Sequence, residues 1–306
     1  MTDMDLLAQT ASNRSALAAR EFVHRLARSQ VLLADVRRGG PDRFRATAHW
    51  PRTRPAFDRC APGAGRHDAQ LVVETLRQLG IYLPLRCYGV AADSRVLIEE
   101  LSFELEPPGE AGPTAYKGTE ITCVATVDRG PRAFAADGVG RWRNLTLKVS
   151  LTVGGREFAR AEGVARTLSP AAYRAVRDHG PAGKAAENTR LAPVDPGRVG
   201  ATWPQDVLVA VDGRGAVRIA PADPHHPFFH DHPSDHITGM VLVGAVQQTA
   251  ALQANEPDLR LRSCSLRALR FTEPGPPPTV EIGPAGRFEI RQRGTVTATG
   301  EARFEL

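Results

Sequence analysis

The chain is poor in cysteine and in aromatic residues. Its 306 residues include 6% Phe, Trp and Tyr and four cysteines, Cys60, Cys87, Cys123 and Cys264. The cysteines are widely spaced and form no C-x-x-C pair, so the sequence signals neither a zinc site nor a disulfide framework. The formal net charge is +5, with arginines spread along the chain. No stripe of basic and aromatic residues accompanies this charge, so we expect an acidic small molecule or partner protein rather than nucleic acid.

Two further absences bear on location. The N-terminus has acidic residues early and lacks the apolar core of a secretory signal. From residue 236 to residue 255 there is no Asp, Glu, Lys or Arg. This run contains Gly239, Gly244, Gln247, Gln248 and Thr249, which make it a poor membrane span and favour a buried helix. The sequence therefore predicts a cytoplasmic protein without a membrane segment.

One apolar helix pattern occurs twice. The segments RHDAQLVVETLRQLGIY (66–82) and HITGMVLVGAVQQTAAL (236–252) align at an offset of 170 residues, which pairs Glu74 with Gly244 and Gln78 with Gln248. Each predicted helix is followed by alternating or β-branched segments between Pro and Gly clusters, which is typical of an antiparallel sheet. A helix that is apolar on nearly all sides is buried when such a sheet curls around it.

This repeat predicts an α+β fold, a tandem double hotdog in which each unit is a long central helix wrapped by an antiparallel sheet. The predicted parts are an N-terminal extension (1–20), a first hotdog repeat (21–170), a linker rich in Ala, Pro, Gly and charge (171–200), and a second repeat (201–306). The alternative is a generic α+β domain with a chance repeat. Two tandem units can form a monomeric pseudo-dimer, or associate further as a homodimer.

Histidines cluster just before the second helix. Five of the nine histidines fall within twelve residues: His225, His226, His230, His232 and His236. Their spacing is one residue longer than the H-x-H-x-D-H run of metallo-β-lactamase-like hydrolases, and no later histidine supplies a further ligand, so we expect no metal. At a helix entrance an imidazole can act as an acid or base. His232 and His236 are the candidates, whereas the other three are expected to be solvated or capping residues.

The segment FFHDHPSDHITGMVLVGAVQQTAAL resembles the A-factor biosynthesis hotdog family, whose second repeat typically has a His-Pro-x-Asp-His-x-x-Gly-Met run. The matching positions are His232, Pro233, Asp235, His236, Gly239 and Met240. FVHRLARSQVLLAD (22–35) and RHDAQLVVETLRQLGIYL (66–83) resemble the family's first repeat, so the likeness extends from about residue 22 to the C-terminus.

The resemblance implies an acyltransferase of γ-butyrolactone or butenolide biosynthesis in actinobacterial secondary metabolism. Such an enzyme would transfer a β-ketoacyl group from acyl carrier protein, or from an acyl-CoA thioester, to dihydroxyacetone phosphate. No cofactor is expected. The reaction needs a base for the hydroxyl, a donor for the developing oxyanion, and cations for the phosphate.

The first helix offers candidates for these roles. Glu74 lies in an otherwise apolar stretch where an unpaired carboxylate is costly to bury, so we predict a catalytic carboxylate; the alternative is a structural ion pair with Arg77 or Arg86. Gln78 lies one turn further on the same face. Arg77 and Arg86 are predicted to bind phosphate or the carrier's phosphopantetheine arm.

The residues before each helix complete the predicted substrate-binding set. His67 and Asp68 precede the first helix, where Asp68 can serve as an N-terminal cap or take part in catalysis. Asp235 and Gly239 come from the run that matches the family before the second helix. Gly244 departs from the family, which usually has Glu at this position.

If sites form between the repeats, His232 and His236 meet Glu74, while the reciprocal site with His67 and Gly244 lacks a carboxylate. We therefore predict one working and one vestigial site.

Two other functions stay open. One is a dehydratase or thioesterase acting on a carrier-bound polyketide intermediate, because the same groups can remove or activate water. The other is a non-catalytic acyl-binding protein, if the missing carboxylate removed the activity.

Overall fold

The computed structural model describes residues 20–51, 68–106, 119–130, 132–134, 140–142, 144–178, 190–232 and 234–306. The longer helices are α1 (Ala69–Cys87), α2 (Pro170–Asp178) and α3 (Gly239–Ala254). The strands are β1 (Leu33–Arg38), β2 (Arg43–Trp50), β3 (Arg95–Leu105), β4 (Thr119–Arg129), β5 (Arg132–Phe134), β6 (Gly140–Trp142), β7 (Asn144–Val153), β8 (Arg156–Leu168), β9 (Leu191–Pro193), β10 (Val209–Asp212), β11 (Val217–Ile219), β12 (Arg260–Ala268), β13 (Thr279–Ile282), β14 (Arg287–Gln292) and β15 (Thr295–Glu305).

One antiparallel sheet of 13 described strands runs through both repeats in the order β1-β2-β4-β7-β8-β3-β12-β15-β14-β13-β11-β10-β9. The halves join where β3 pairs with β12, for example Leu101 with Leu266. The two halves have matching strand orders when each is followed outward from this joint: β3-β8-β7-β4-β2-β1 in the first and β12-β15-β14-β13-β11-β10 in the second. β9 extends the second half at its edge, and β5 pairs with β6 separately. The strand order therefore repeats as the sequence does.

Each half of the sheet covers one long helix. Along β2 the side chains of Phe44, Ala46, Ala48 and Trp50 are buried and the intervening positions are more exposed, as expected for a strand with one face towards a helix. The long helix of the second repeat, α3, is buried along most of its length and ends at Ala254, where Asn255, with a φ of 55°, caps the last turn. The α+β double hotdog predicted from the sequence is confirmed.

A repeated glutamine ties each long helix to the strand that enters its sheet. The Oε1 atom of Gln78 accepts the backbone N–H of Leu32 at 2.9 Å, and that of Gln248 accepts the N–H of Leu208 at 2.7 Å. Each Nε2 donates to the carbonyl two residues before that leucine, at 2.7 and 2.8 Å. Gln78, predicted to bind substrate, therefore has a structural role that its counterpart shares.

The segment predicted as a linker contains regular structure. Helix α2 begins at Pro170, and β9 pairs with β10 at the sheet edge. The predicted N-terminal extension lies almost wholly outside the described residues, as does Cys60, and the domain limits remain predictions. The thiols of Cys87, Cys123 and Cys264 are free. Within the described ranges no helix is both long and apolar enough to cross a membrane.

Candidate functional site

Glu74 is the centre of a buried ion network. Its carboxylate is fully buried and accepts hydrogen bonds from Arg25 Nε (2.9 Å), Arg77 Nε (2.7 Å) and Gln78 Nε2 (2.6 Å). Burial raises the pKa of this carboxyl, but the ion pairs with Arg77 and Arg25 outweigh burial and hold the pKa at about 2. Both oxygens are occupied by cationic donors. These contacts favour an anchoring role for Glu74 over the predicted role in proton transfer.

Arg25 also joins the two repeats. Its Nη1 donates to the carbonyl of Phe228 at 2.7 Å. From the second repeat, the carboxylate of Asp231 accepts the backbone N–H groups of Leu26 and Ala27 at 2.7 and 3.1 Å. The N-terminal segment of the first repeat is therefore fixed against the histidine loop that precedes α3.

His24 precedes Arg25 and His232 follows Asp231, and the side chains of Arg25 and Asp231 lie 3.9 Å apart, so the clamp holds the two histidines on adjoining segments. Burial, with the charges of Arg77, His232 and Arg95, lowers the pKa of His24 to about 4. Burial, Arg77 and Arg25 also lower the pKa of His232, and the negative charges near it oppose that shift. Both imidazoles are therefore neutral at pH 7. The Nδ1 atom of His232 is buried and has no hydrogen-bond partner in the part of the chain that the structure describes.

The backbone at His24 is held in an uncommon conformation. Its φ is 49°, in the left-handed region that a residue with a side chain seldom adopts. On one side, Arg77 Nη2 donates to the carbonyl of Val23 at 3.0 Å; on the other, Arg25 is paired with Glu74. These flanking contacts hold the backbone turn that carries the imidazole.

His236 belongs to a separate group of side chains. Its Nδ1 lies 2.8 Å from Asp235 Oδ1, and its ring centroid is 5.2 Å from that of Phe271. The Tyr173 hydroxyl of α2 donates to the Asp235 carboxylate at 2.6 Å, and Arg177 Nη2 donates to the Asp235 carbonyl at 3.0 Å. The hypothesis that both histidines meet Glu74 stays a prediction. The charge of Glu74 acts on the pKa of His232, whereas the described contacts of His236 are with this other group.

Two of the remaining predicted residues have described contacts. Asp68 caps α1, because its carboxylate accepts the backbone N–H of Gln70 at 2.7 Å. The guanidinium of Arg86 lies 4.6 Å from the centroid of the Phe22 ring. Gly239 is the first residue of α3. His67 lies outside the described residues.

The other histidines of the cluster include a structural one. His226 is buried, with Nε2 3.0 Å from Asp206 Oδ1, and its Nδ1 accepts the backbone N–H groups of Phe228 and Phe229. Nδ1 is thus the acceptor and Nε2 carries the proton. Burial lowers the pKa of His230. Among the described residues, no group of three or more His, Cys, Asp or Glu side chains is arranged to hold a metal ion.

The position equivalent to Glu74 in the second repeat has no room for a carboxylate. A Cβ atom at Gly244 would lie 2.5 Å from Leu208 Cδ1 and 3.2 Å from Gln70 Nε2. The side-chain amide of Gln70 is buried, and its atoms have no hydrogen-bond partner in the described ranges. Leu208 and Gln70 thus fill the reciprocal position, which supports the prediction of a single working site.

Sequence reasoning missed His24, Arg25 and Asp231. The signal available for the first two was the HR pair within FVHRLARSQ, a segment that resembles the first repeat of the family. Nothing in the sequence indicates that Arg25 reaches Glu74, which is 49 residues away, and Phe228, which is 203 residues away.

Comparison with known proteins agrees with this fold. Residues 7–169 and 183–282 match the model of the A-factor biosynthesis hotdog domain. The chain is 30% identical over 251 residues to the 2-oxo-3-(phosphooxy)propyl 3-oxoalkanoate synthase of Streptomyces virginiae, covering 81% of this chain and 80% of that protein.

A synthase of the same name from Streptomyces coelicolor is 30% identical over 263 residues, covering 83% of this chain and 80% of that protein. Among solved structures, an acyl-ACP thioesterase from Bacteroides thetaiotaomicron is similar, with a TM-score of 0.48 and 11% identity over 86% of this chain and 98% of that one. On the match to the family model and the relatives at 30% identity, the chain belongs to the A-factor biosynthesis hotdog domain family.

Proposed function

We propose that this protein is an acyltransferase that moves a 3-oxoacyl group from a thioester to the hydroxyl of a phosphorylated three-carbon acceptor such as dihydroxyacetone phosphate. The names of the Streptomyces relatives describe the phosphorylated ester that this reaction would form. The donor would be acyl carrier protein or an acyl-CoA. The observation that carries the proposal is the pair of partly buried histidines, His24 and His232, next to the contact of Arg25 with Asp231 between the repeats, with the Nδ1 atom of His232 buried and unpartnered among the described residues.

His232 is the proposed general base. As the hydroxyl oxygen of the acceptor attacks the thioester carbonyl carbon, its proton passes to the neutral imidazole of His232. A base works best when its pKa lies near the working pH, and negative charges on Asp231 and Glu74 oppose the shift that burial causes at His232. When the tetrahedral intermediate collapses, the C–S bond breaks and the thiolate takes the proton from the His232 imidazolium.

His24 suits a different role. With a pKa of about 4 it is a weak base, but its neutral imidazole keeps one N–H at neutral pH. Such an N–H can donate a hydrogen bond to the thioester carbonyl oxygen and stabilise the negative charge that develops there. The fixed backbone at His24 would provide the preorganisation that this stabilisation needs. Glu74, with Arg25 and Arg77, positions both histidines without touching the reacting atoms.

The proposal is tested by mass spectrometry of products from a 3-oxoacyl thioester with and without dihydroxyacetone phosphate. We expect the phosphorylated ester and free thiol from the wild-type protein only when the acceptor is present. His232→Gln should lower the rate by about 10²- to 10⁴-fold, the usual contribution of a general base. His225→Gln, which changes an exposed histidine of the same loop, is the matched control and should retain full activity.

The same assay separates the alternatives. Free 3-oxo acid or an enoyl product without acceptor would favour a thioesterase or a dehydratase, and binding of the thioester without turnover would favour a non-catalytic acyl-binding protein.

A His236→Gln variant tests the other predicted histidine. We expect it to keep most activity, because its contacts place it with Asp235 and Phe271.

A further inference from the structure

An apolar cleft lies between α1 and the sheet of the first repeat. Its space, including the open side, is about 400 Å³, and every residue that lines it is Gly, Ala, Val, Leu, Ile or Pro. Leu79, Leu83 and Leu147 form its buried part. Gly80 and Val164 are partly exposed, so the cleft opens towards solvent on their side. Because no charged or hydrogen-bonding side chain lines it, the cleft suits an aliphatic chain rather than a polar ligand.

Two glycines keep this cleft open. A Cβ atom at Gly163 of β8 would lie 3.4 Å from Leu76 Cδ2, and one at Gly80 of α1 would lie 3.9 Å from Leu147 Cδ2. Side chains at these two positions would therefore project into the space between the helix and the sheet. Apolar space that side chains leave unfilled lowers the stability of a core, so its retention here favours a role in binding.

The second repeat fills the corresponding space. Gly163 pairs with Leu147 of β7. The equivalent Gly300 of β15 pairs with Phe288 of β14, and both glycines also pair with the leucines that face each other at the joint of β3 and β12. A Cβ atom at Gly300 would lie 2.5 Å from Phe288 Cζ, so this buried ring fills the position where the shorter Leu147 leaves room. The first repeat, which also provides Glu74, keeps the space that the second repeat fills.

The cleft adjoins the segment that carries the first histidine. Gly80 and Pro84 follow Arg77 by three and seven residues, so the three residues lie along one side of α1. Arg77 Nη2 donates to the carbonyl of Val23 at 3.0 Å, and the next residue in the chain is His24. A chain bound in the cleft can therefore extend along this side of α1 towards His24.

We propose that this cleft binds the aliphatic tail of the 3-oxoacyl donor, and that Gly80, Leu147 and Gly163 determine the length of chain that the protein accepts. The acyl group of the proposed donor ends in an alkyl tail, which matches the wholly apolar lining. The identity of the ligand rests on the proposed function. Occupation of the cleft by an alkyl chain is independent of turnover and can be tested by binding alone.

Isothermal titration calorimetry of the full chain with alkyl thioethers of pantetheine measures binding of the tail, because a thioether cannot transfer its chain. Among butyl, octyl and dodecyl compounds, we expect the wild-type affinity to rise about fourfold for each methylene group until the cleft is full. Leu147→Phe gives the first repeat the residue that the second has at this position. It should weaken binding of the dodecyl compound by at least about tenfold and leave that of the butyl compound unchanged.

Gly80→Ala is a second variant, which separates binding from folding. Alanine is more favourable than glycine in the interior of a helix, so this variant should unfold at a higher urea concentration than the wild type. It should nevertheless bind the dodecyl compound more weakly. Gly213→Ala is the matched control, because a Cβ atom at Gly213 would meet no atom within 4 Å and this residue lies outside the cleft. It should leave the dependence of affinity on chain length unchanged.

Photo-crosslinking locates the bound tail. A dodecyl thioether with a terminal diazirine should label peptides from α1, β7 or β8, and Leu147→Phe should suppress this labelling. The same dependence of affinity on chain length in the wild type, Leu147→Phe and Gly80→Ala, or labelling confined to other segments, would overturn the inference. If the tail binds in the cleft but no acyl transfer occurs, the proposed function fails and the cleft assignment stands. If transfer occurs and both variants prefer the same thioester chain length as the wild type, the assignment fails and the function stands.

Discussion

Replacement of Glu74 by glutamine removes the charge that neutralises two buried guanidiniums. The Arg25 and Arg77 side chains are 3% and 12% exposed, so neither regains full hydration when its partner is lost. Breaking a buried ion pair from one side costs about 3 to 5 kcal/mol. The shift in the pKa of Glu74 from 4.5 to about 2 gives a similar figure, about 3 kcal/mol. We expect Glu74→Gln to lower the free energy of unfolding by about this amount at pH 7.

Urea unfolding at equilibrium measures this loss. A matched control is Glu162→Gln, which removes the partner of Lys148 from an ion pair whose side chains are 44% and 65% exposed. Surface pairs of this kind contribute at most about 1 kcal/mol. Because the pKa of Glu74 is depressed, its contribution is present above pH 4.5 and disappears as pH falls towards 2. A loss below about 1 kcal/mol, or one equal to that of Glu162→Gln, would refute the anchoring role.

Three other perturbations follow from the same contacts. In His24→Gln, the free energy of unfolding should depend less steeply on pH between pH 6.5 and about 4. In the wild type, the unfolded chain takes up a proton at this histidine in that range and the folded chain does not. Urea unfolding at several pH values checks this, and an unchanged slope would contradict it. Gly244→Glu should destabilise the fold by about 1 to 3 kcal/mol, because the new side chain would overlap that of Leu208. It should create no second site, so a rise in the rate of acyl transfer would count against the single-site account. Burial raises the pKa values of the Cys123 and Cys264 thiols to about 12, so both should react with iodoacetamide only after the chain unfolds. Mass spectrometry of the labelled protein tests this, and rapid labelling of the folded chain would contradict it.

The fold was predictable because its pattern is local and repeated. Gln78 and Gln248 recur in helices that lack charge on most faces, and both make the same backbone hydrogen bonds. By contrast, α2 occupies a segment rich in Ala, Pro and charge and buries none of its residues, so its sequence has the composition of a connecting arm. Its role became visible only through the contacts of Tyr173 and Arg177 with Asp235.

The site was predictable in part. Glu74 stood out as a carboxylate in an apolar helix, and it lies at the centre of the buried network. The sequence offered Arg77 and Arg86 as its possible ion-pair partners, and only the first pairs with it. Its other partner, Arg25, comes from a distant segment, and pairing over such a separation leaves no periodic signal. Since the partners of a carboxylate decide whether it is a base or an anchor, its role could not be derived from residue type and spacing.

The central claim is that His232 accepts the proton of the acceptor hydroxyl. The most direct test is the pH dependence of kcat/KM for acyl transfer, measured between roughly pH 5 and 8. For the wild type we predict a loss of rate on the acid side, with a midpoint below the ordinary histidine pKa of 6.5 because burial and the guanidiniums lower the pKa of His232. Glu74→Gln should move that midpoint to still lower pH, and His232→Gln should abolish the limb together with most of the rate. A His232→Gln variant with wild-type kcat/KM and the same acid limb would contradict the account.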